Sequence, residues 1–206
     1  MKVKKFYAPP LEENSYILYS ENPKTGFIID PGSKPDKILD FINDNHLSIK
    51  AILNTHGHFD HTVFNQYLSD KLDLPILLDE QDIIYTQRIK DFTYLFNRKI
   101  ILPKEFIKYT DRLHLNSEEI QIIKTPGHTP GGYSYYIPSQ SMIFTGDTLF
   151  KGAFGRYDLP KGNFEDLKIS IKKLFELPDN TIVYSGHGAE TTIGQEKKTN
   201  YILNFF

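Results

Sequence analysis

Cysteine and tryptophan are both absent from the chain, and methionine occurs only 2 times. Without a thiol there is no disulfide, no thiolate nucleophile and no cysteine-held metal, so any metal must take nitrogen and oxygen donors. An excess of charge is missing too. The 24 basic and 26 acidic residues leave a formal net charge of −2, which gives no electrostatic pull toward nucleic acid or a membrane surface. A small-molecule partner is therefore expected. Long hydrophobic runs are also lacking. The start, "MKVKKFYAPPLEENSYIL", is charged and never reaches an apolar stretch long enough for a signal peptide, and nothing later approaches a membrane span. The expected location is the cytoplasm. No low-complexity linker divides the chain. Its 206 residues, 39% of them hydrophobic, can bury a sizeable core, so one domain over 1–206 is expected.

Short β-rich runs alternate with amphipathic ones, which predicts strands punctuated by helices. "NSYILYS" and "TGFIID" read as paired early strands with "NPK" as their turn. "KPDKILDFINDNH" carries Ile38, Leu39, Phe41 and Ile42 at helical spacing. "NFEDLKISIKKLFEL" does so more strongly with Phe164, Leu167, Ile171, Leu174 and Phe175. Both are expected to be helices packed on a sheet. The stretch 79–110 is rich in aromatics and charges but has weak periodicity, and the sequence assigns it no element.

Four apolar runs end in Thr or Ser and then meet glycine beside histidine or aspartate: "AILNTHGH", "QIIKTPGH", "MIFTGD" and "TIVYSGH". If each run is a strand, four tight turns bring metal-ligating side chains to one edge of the sheets, with glycine permitting close backbone approach. The candidates are His56, His58, Asp60, His61, His128, Asp147 and His187. Five imidazoles and two carboxylates suit zinc, iron or manganese. They are too many for one tetrahedral ion and about right for two sharing a carboxylate. Within "THGHFDH", His56 and His58 point the same way by the period-two alternation of an extended chain, while Asp60 and His61, at a helix start, diverge toward a second ion. His46 and His114 lack such company and read as turn or surface residues. Asp30, in "FIIDPG", reads first as a turn residue, with support of a ligating histidine as its other role.

"THGHFDH", "TPGHTPGG", "FTGDTLF", "GRYDLP" and "SGHGAETTIGQE" together resemble the metallo-β-lactamase superfamily, and within it the hydroxyacylglutathione hydrolase (glyoxalase II)-like branch. The segments cover nearly the whole chain in the family's order. The resemblance implies an α/β (α+β) fold, a four-layer αββα sandwich with the metals at one edge. It implies that His56, His58 and His128 hold one ion, that Asp60, His61 and His187 hold the other, and that Asp147 bridges. The lack of cysteine matches this branch rather than the β-lactamases with a cysteine ligand.

The departures bear on substrate. Full glyoxalase II proteins carry a C-terminal helical domain that binds glutathione, and this sequence runs only about twenty residues past His187. Where those enzymes place a lysine and a tyrosine after the bridging aspartate, Arg156 and Asp158 stand here, and Ala189 stands where a further tyrosine is expected. Glutathione is accordingly not the expected carrier. "GRYD" is also similar to the iron-dependent persulfide dioxygenases, the alternative reading. The expected chemistry is hydrolysis of a thioester or similar ester assisted by two divalent ions, zinc first, with iron or manganese as alternatives. Two cations lower the pKa of a water from 15.7 toward about 7, so that neither Ser nor Cys is needed as nucleophile. In this scheme Asp60 and Asp147 are the catalytic carboxylates. A thiol leaving group, with a reference pKa of about 8.5, departs without much help from an acid. Arg156, in a Gly-flanked loop, is the candidate substrate-binding residue through an anion, with bracing of the loop against Asp158 as its other role.

Overall fold

The computed structural model describes residues 1–8, 12–95, 100, 101, 106 and 112–206. Part of the unassigned stretch 79–110 lies outside these. The first half runs β1 (Lys2–Ala8), β2 (Glu13–Glu21), β3 (Lys24–Ile29), α1 (Pro35–Asn45), β4 (Ser48–Leu53), α2 (Phe59–Thr62), α3 (Asn65–Leu72), β5 (Ile76–Leu77) and α4 (Ile83–Thr86), then a 3-10 run, Gln87–Leu95. The second half runs β6 (Arg112–Leu115), β7 (Glu118–Lys124), β8 (Tyr133–Ile137), β9 (Met142–Gly146), β10 (Leu149–Phe150), β11 (Ala153–Phe154), α5 (Phe164–Phe175), β12 (Ile182–Ser185), β13 (Thr191–Thr192) and α6 (Ile193–Thr199). A closing 3-10 turn spans Tyr201–Phe205. The strands make one sheet in the order β1-β2-β3-β4-β5 and another in the order β13-β12-β9-β8-β7-β6, with β10 and β11 paired beside them.

Side-chain alternation explains the layers. In β2, Ile17 faces outward to meet Ile38 and Ile42 of α1, while Tyr16 and Leu18 face inward. Ile28 in β3 and Ile52 in β4 share the outer face, and Phe27, Ile29, Ala51 and Leu53 the inner one. The second sheet repeats the pattern. Met142 and Phe144 of β9 and Tyr135 and Ile137 of β8 point inward, while Ile143 and Tyr136 point out against Leu167, Ile171 and Leu174 of α5. Three apolar layers between four layers of structure are the αββα sandwich expected from the sequence, and strands apolar on both faces follow from burial on both sides.

Both predicted helices are present. α1 begins with Pro35, whose fixed φ suits a first turn. α5 is capped by the Asn163 side chain, which accepts from the backbone N–H of Glu165 and Asp166, and lysines 172 and 173 close its last turn. The predicted β2–β3 hairpin also forms, in antiparallel register from Tyr16–Ile29 to Glu21–Lys24. His46 ends α1 and His114 lies in β6, as expected for residues outside the site.

Direction places the site. β4 runs parallel to β3 and β5. β12 runs parallel to β9, and β7 has the same direction because two antiparallel steps separate it from β9. The C-terminal ends of β7, β9 and β12 therefore share one edge of their sheet. Backbone bonds join the edges of the two sheets: Tyr133 N–H donates to Thr55 O at 2.8 Å, and Asn14 N–H to Gly186 O at 2.7 Å. Among the described residues, no helix is long and apolar enough to cross a membrane.

Candidate metal centre

Each of the four predicted turns follows a strand and delivers its residues to the shared edge. β4 ends at Leu53, and His56, His58, Asp60 and His61 follow through the short helix α2. His128 lies past β7, Asp147 directly past β9, and His187 two residues past β12. The glycines are there because backbone and ligands leave no room for a side chain. Gly146 has φ 50, and a Cβ on it would stand 2.1 Å from Thr55 Oγ1. A Cβ on Gly186 would stand 2.3 Å from Asp147 Oδ1 and 2.7 Å from His61 Cε1.

The seven candidates form two adjoining sets. His56 Nε2 lies 3.1 Å and His128 Nε2 2.9 Å from His58 Nδ1. Asp60, His61 and His187 gather beside them, with Asp60 Oδ2 3.4 Å from His187 Nε2 and 3.9 Å from His61 Nε2. Within each set, one ligating atom per residue lies within 4.8 Å of the others. Asp147 faces both sets. Its Oδ2 is 3.5 Å from His128 Nε2 and 3.7 Å from His187 Nε2, and its Oδ1 is 3.3 Å from His61 Nε2.

Outer partners fix the imidazole orientation. His128 Nδ1–H donates to Arg156 O at 2.7 Å, and His187 Nδ1–H to Glu12 O at 3.0 Å. His61 Nδ1–H donates to Asp30 Oδ2 at 3.1 Å. Thr55 Oγ1 donates to that same oxygen at 2.6 Å and stands 3.1 Å from His56 Nδ1. These partners turn the Nε2 atoms toward the centre, the orientation a metal requires. Burial would lower His61, but the Asp147 and Asp60 carboxylates outweigh it and hold the imidazole well above the usual histidine range, so an ion bound there displaces a proton. Asp30 thus bonds both the His61 ring and the turn, since Oδ1 also accepts from Thr55 N–H at 2.7 Å.

The donor set fits cations. His61 Nε2 and Asp147 Oδ1 are buried 3.3 Å apart with no hydrogen bond to any other group, an arrangement that metal ligation would satisfy. Burial pushes His58 down to about 4, and the neighbouring His128 adds to the shift. Burial also holds His56 well below the usual histidine range, so both imidazoles are neutral and ready to ligate. Burial would raise Asp147, but the His61, His128 and His56 rings outweigh it and hold the carboxyl well below the usual range.

Three features were not read from the sequence. Asp82 is fully buried and ties two ligand loops together, accepting from Gly57 N–H at 2.9 Å, Gly131 N–H at 2.8 Å and Thr129 Oγ1 at 2.6 Å. Its signal was "PILLDEQD", an apolar run ending in acids but lacking the glycine that marked the other four turns. Glu13 is also fully buried, with Oε2 accepting from Ser15 Oγ at 2.9 Å and Oε1 unpartnered. Burial raises its carboxyl well above the usual range, only partly opposed by His61. Third, a cleft of about 430 Å³ opens above these candidate ligands, walled by Phe59, Tyr85, Phe150, Phe154, Leu159 and Pro160. Arg156 lines it too, but its Nε and Nη2 each donate to Asp158 at 2.9 Å.

A model of the metallo-beta-lactamase superfamily matches residues 8–187. The chain is 35% identical to the "probable metallo-hydrolase YqgX" of Bacillus subtilis, covering 100% of this chain and 99% of that protein. It is also 35% identical to the "hydroxyacylglutathione hydrolase GloC" of Haemophilus influenzae, covering 94% and 93%. Among solved structures, the BLEG-1 B3 metallo-beta-lactamase superposes with TM-score 0.87 at 33% identity, over 98% of this chain and 99% of that one. TTHA1623 in a di-iron-bound form gives 0.85 at 34%, over 97% and 99%.

Proposed function

The chain belongs to the metallo-beta-lactamase superfamily, and we propose that the hydrolysis its metal centre serves is that of a thioester in a small molecule. The observation that carries this is the pair of three-ligand sets joined by Asp147 at the floor of the cleft. His56, His58 and His128 would hold one divalent ion, and Asp60, His61 and His187 the other. Two such ions supply a water acidic enough to be a nucleophile near neutral pH and polarise the acyl carbonyl. Zinc is the first expectation, and the di-iron form of TTHA1623 keeps iron as the alternative.

The chain's own residues do the rest. Asp147 neutralises the space between the two sets, where unshielded cations would repel. Asp60 lines the cleft, so its carboxylate can accept a hydrogen bond from the attacking water and fix its direction. Asp82 holds the His56–His58 and His128 loops in register, and Asp30 does so for His61. The apolar walls keep bulk water from the reacting carbonyl. A thiolate leaves without an acid, so no lining side chain is needed to protonate it.

The test is a thioester panel assayed beside elemental analysis. The protein should hydrolyse thioesters, and His128→Ala should abolish this while circular dichroism retains the fold. Full activity in metal-free His128→Ala protein would exclude the mechanism. Hydrolysis of β-lactams in preference to thioesters would move the reading toward the BLEG-1 relative. Oxygen consumption with a persulfide at one iron per chain would replace it with the dioxygenase.

A further inference from the structure

The cleft constrains the substrate more than the ligands do. Phe59, Tyr85, Phe150, Phe154, Leu159 and Pro160 wall it. Tyr85 turns its hydroxyl into the wall, donating to Pro160 O at 2.8 Å, and so presents its ring. Phe154 is fixed from behind: its ring lies 6.0 Å from Phe164, 6.1 Å from Phe205 and 6.3 Å from Tyr201, stacked on the last at 7°. Two cations reach the rim, and each faces an acid of its own segment. Arg156 is gripped by Asp158 through two bonds of 2.9 Å, and Arg88 Nε stands 3.8 Å from Asp91 Oδ2. An anionic substituent would lose its hydration against rings, and each arginine at the rim already has a carboxylate beside it that competes for it.

We propose that the group carried next to the scissile bond is uncharged and apolar, aromatic or branched aliphatic, and that Phe154, Phe150 and Leu159 select it. The volume of about 430 Å³ suits such a group. The inference rests on the thioesterase reading and sharpens its substrate class. It assigns Arg156 to bracing: the Asp158 pair steadies the loop whose carbonyl orients His128.

The experiment uses metal-loaded protein and three matched series: neutral acyl groups of growing apolar size on one thiol, the same variation on the thiol side, and carboxylated isosteres of each. On one side, kcat/KM should rise about threefold to fourfold per buried methylene, from ~0.8 kcal/mol each. Carboxylation should lower it at least tenfold. Phe154→Ala should collapse the ratio between the largest and smallest neutral substrates toward one, and Phe150→Ala, whose ring lies 6.2 Å from that of His187, gives the same readout if Phe154→Ala fails to fold. Flat rates across apolar size on both sides, or preference for the carboxylated isosteres, would overturn the inference. A hydrolysis-inert thioether of the largest neutral substrate separates the two readings. If every thioester is inert, the thioesterase reading falls. The thioether then decides the cleft by calorimetry: binding with a negative heat-capacity change upholds the apolar assignment, and no binding overturns it.

Discussion

Asp30 sits at the end of β3 with φ 47, a backbone region that costs a non-glycine residue of order 1 kcal/mol. Its carboxylate offsets that cost by accepting from Thr55 and from His61. Asn tolerates the same backbone region but lacks the second carboxylate oxygen. Asp30→Asn should therefore keep the fold while weakening one of two metal affinities by about 10–100-fold, read by competition with a chelator. Two unchanged affinities would leave Asp30 as a turn residue only. A second residue-scale expectation concerns pH in chelator-stripped protein. His58 is held at about 4 by burial, below the unfolded value of about 6.5. Its contribution is then present above 6.5 and lost as pH falls through about 4, because the unfolded chain takes the proton first. The raised Glu13 carboxyl acts with the opposite sign, so the useful quantity is a difference in which Glu13 cancels. The stability of the parent relative to His58→Ala, measured by thermal or urea unfolding, should fall between pH 6.5 and pH 4. A constant difference would contradict the assignment.

At the scale of elements, the turns after β4, β7, β9 and β12 carry the chemistry, and glycine lets them pack. Gly186→Ala puts a methyl 2.3 Å from Asp147 Oδ1, so it should displace the carboxylate and lower metal content while the sheets survive. Elemental analysis with circular dichroism checks this, and full occupancy in the variant would show that the turn is less tightly set. The same turns explain what was legible. Apolar runs ending in small residues with glycine mark strand ends directly in the sequence, and α1 and α5 announce themselves by period. The segment around α4 does not. Its order comes from contacts distant in sequence, with Asp82 bonded to Gly57 and Gly131 and Tyr85 to Pro160. Local propensity carries no trace of such bonds. Glu13 was hidden for a related reason: it opens β2, and its burial comes with contacts distant in sequence, the bridge to His187 among them.

Across the whole molecule, three apolar layers hold two sheets so that strand ends from both converge on one edge. Neither half of the chain holds a complete site: His56, His58, Asp60 and His61 come from the first sheet, and His128, Asp147 and His187 from the second. The fold brings the seven candidate ligands into one largely buried cluster whose outer hydrogen bonds orient them. The central claim is that two ions, shared through Asp147, drive thioester hydrolysis. The direct measurement is the hydrolysis rate of one thioester as chelated protein is reloaded, plotted against ions bound per chain. The rate should be negligible in the stripped protein and should climb until close to two ions are bound. A rate that is full without metal, or that saturates at one ion per chain, would contradict it.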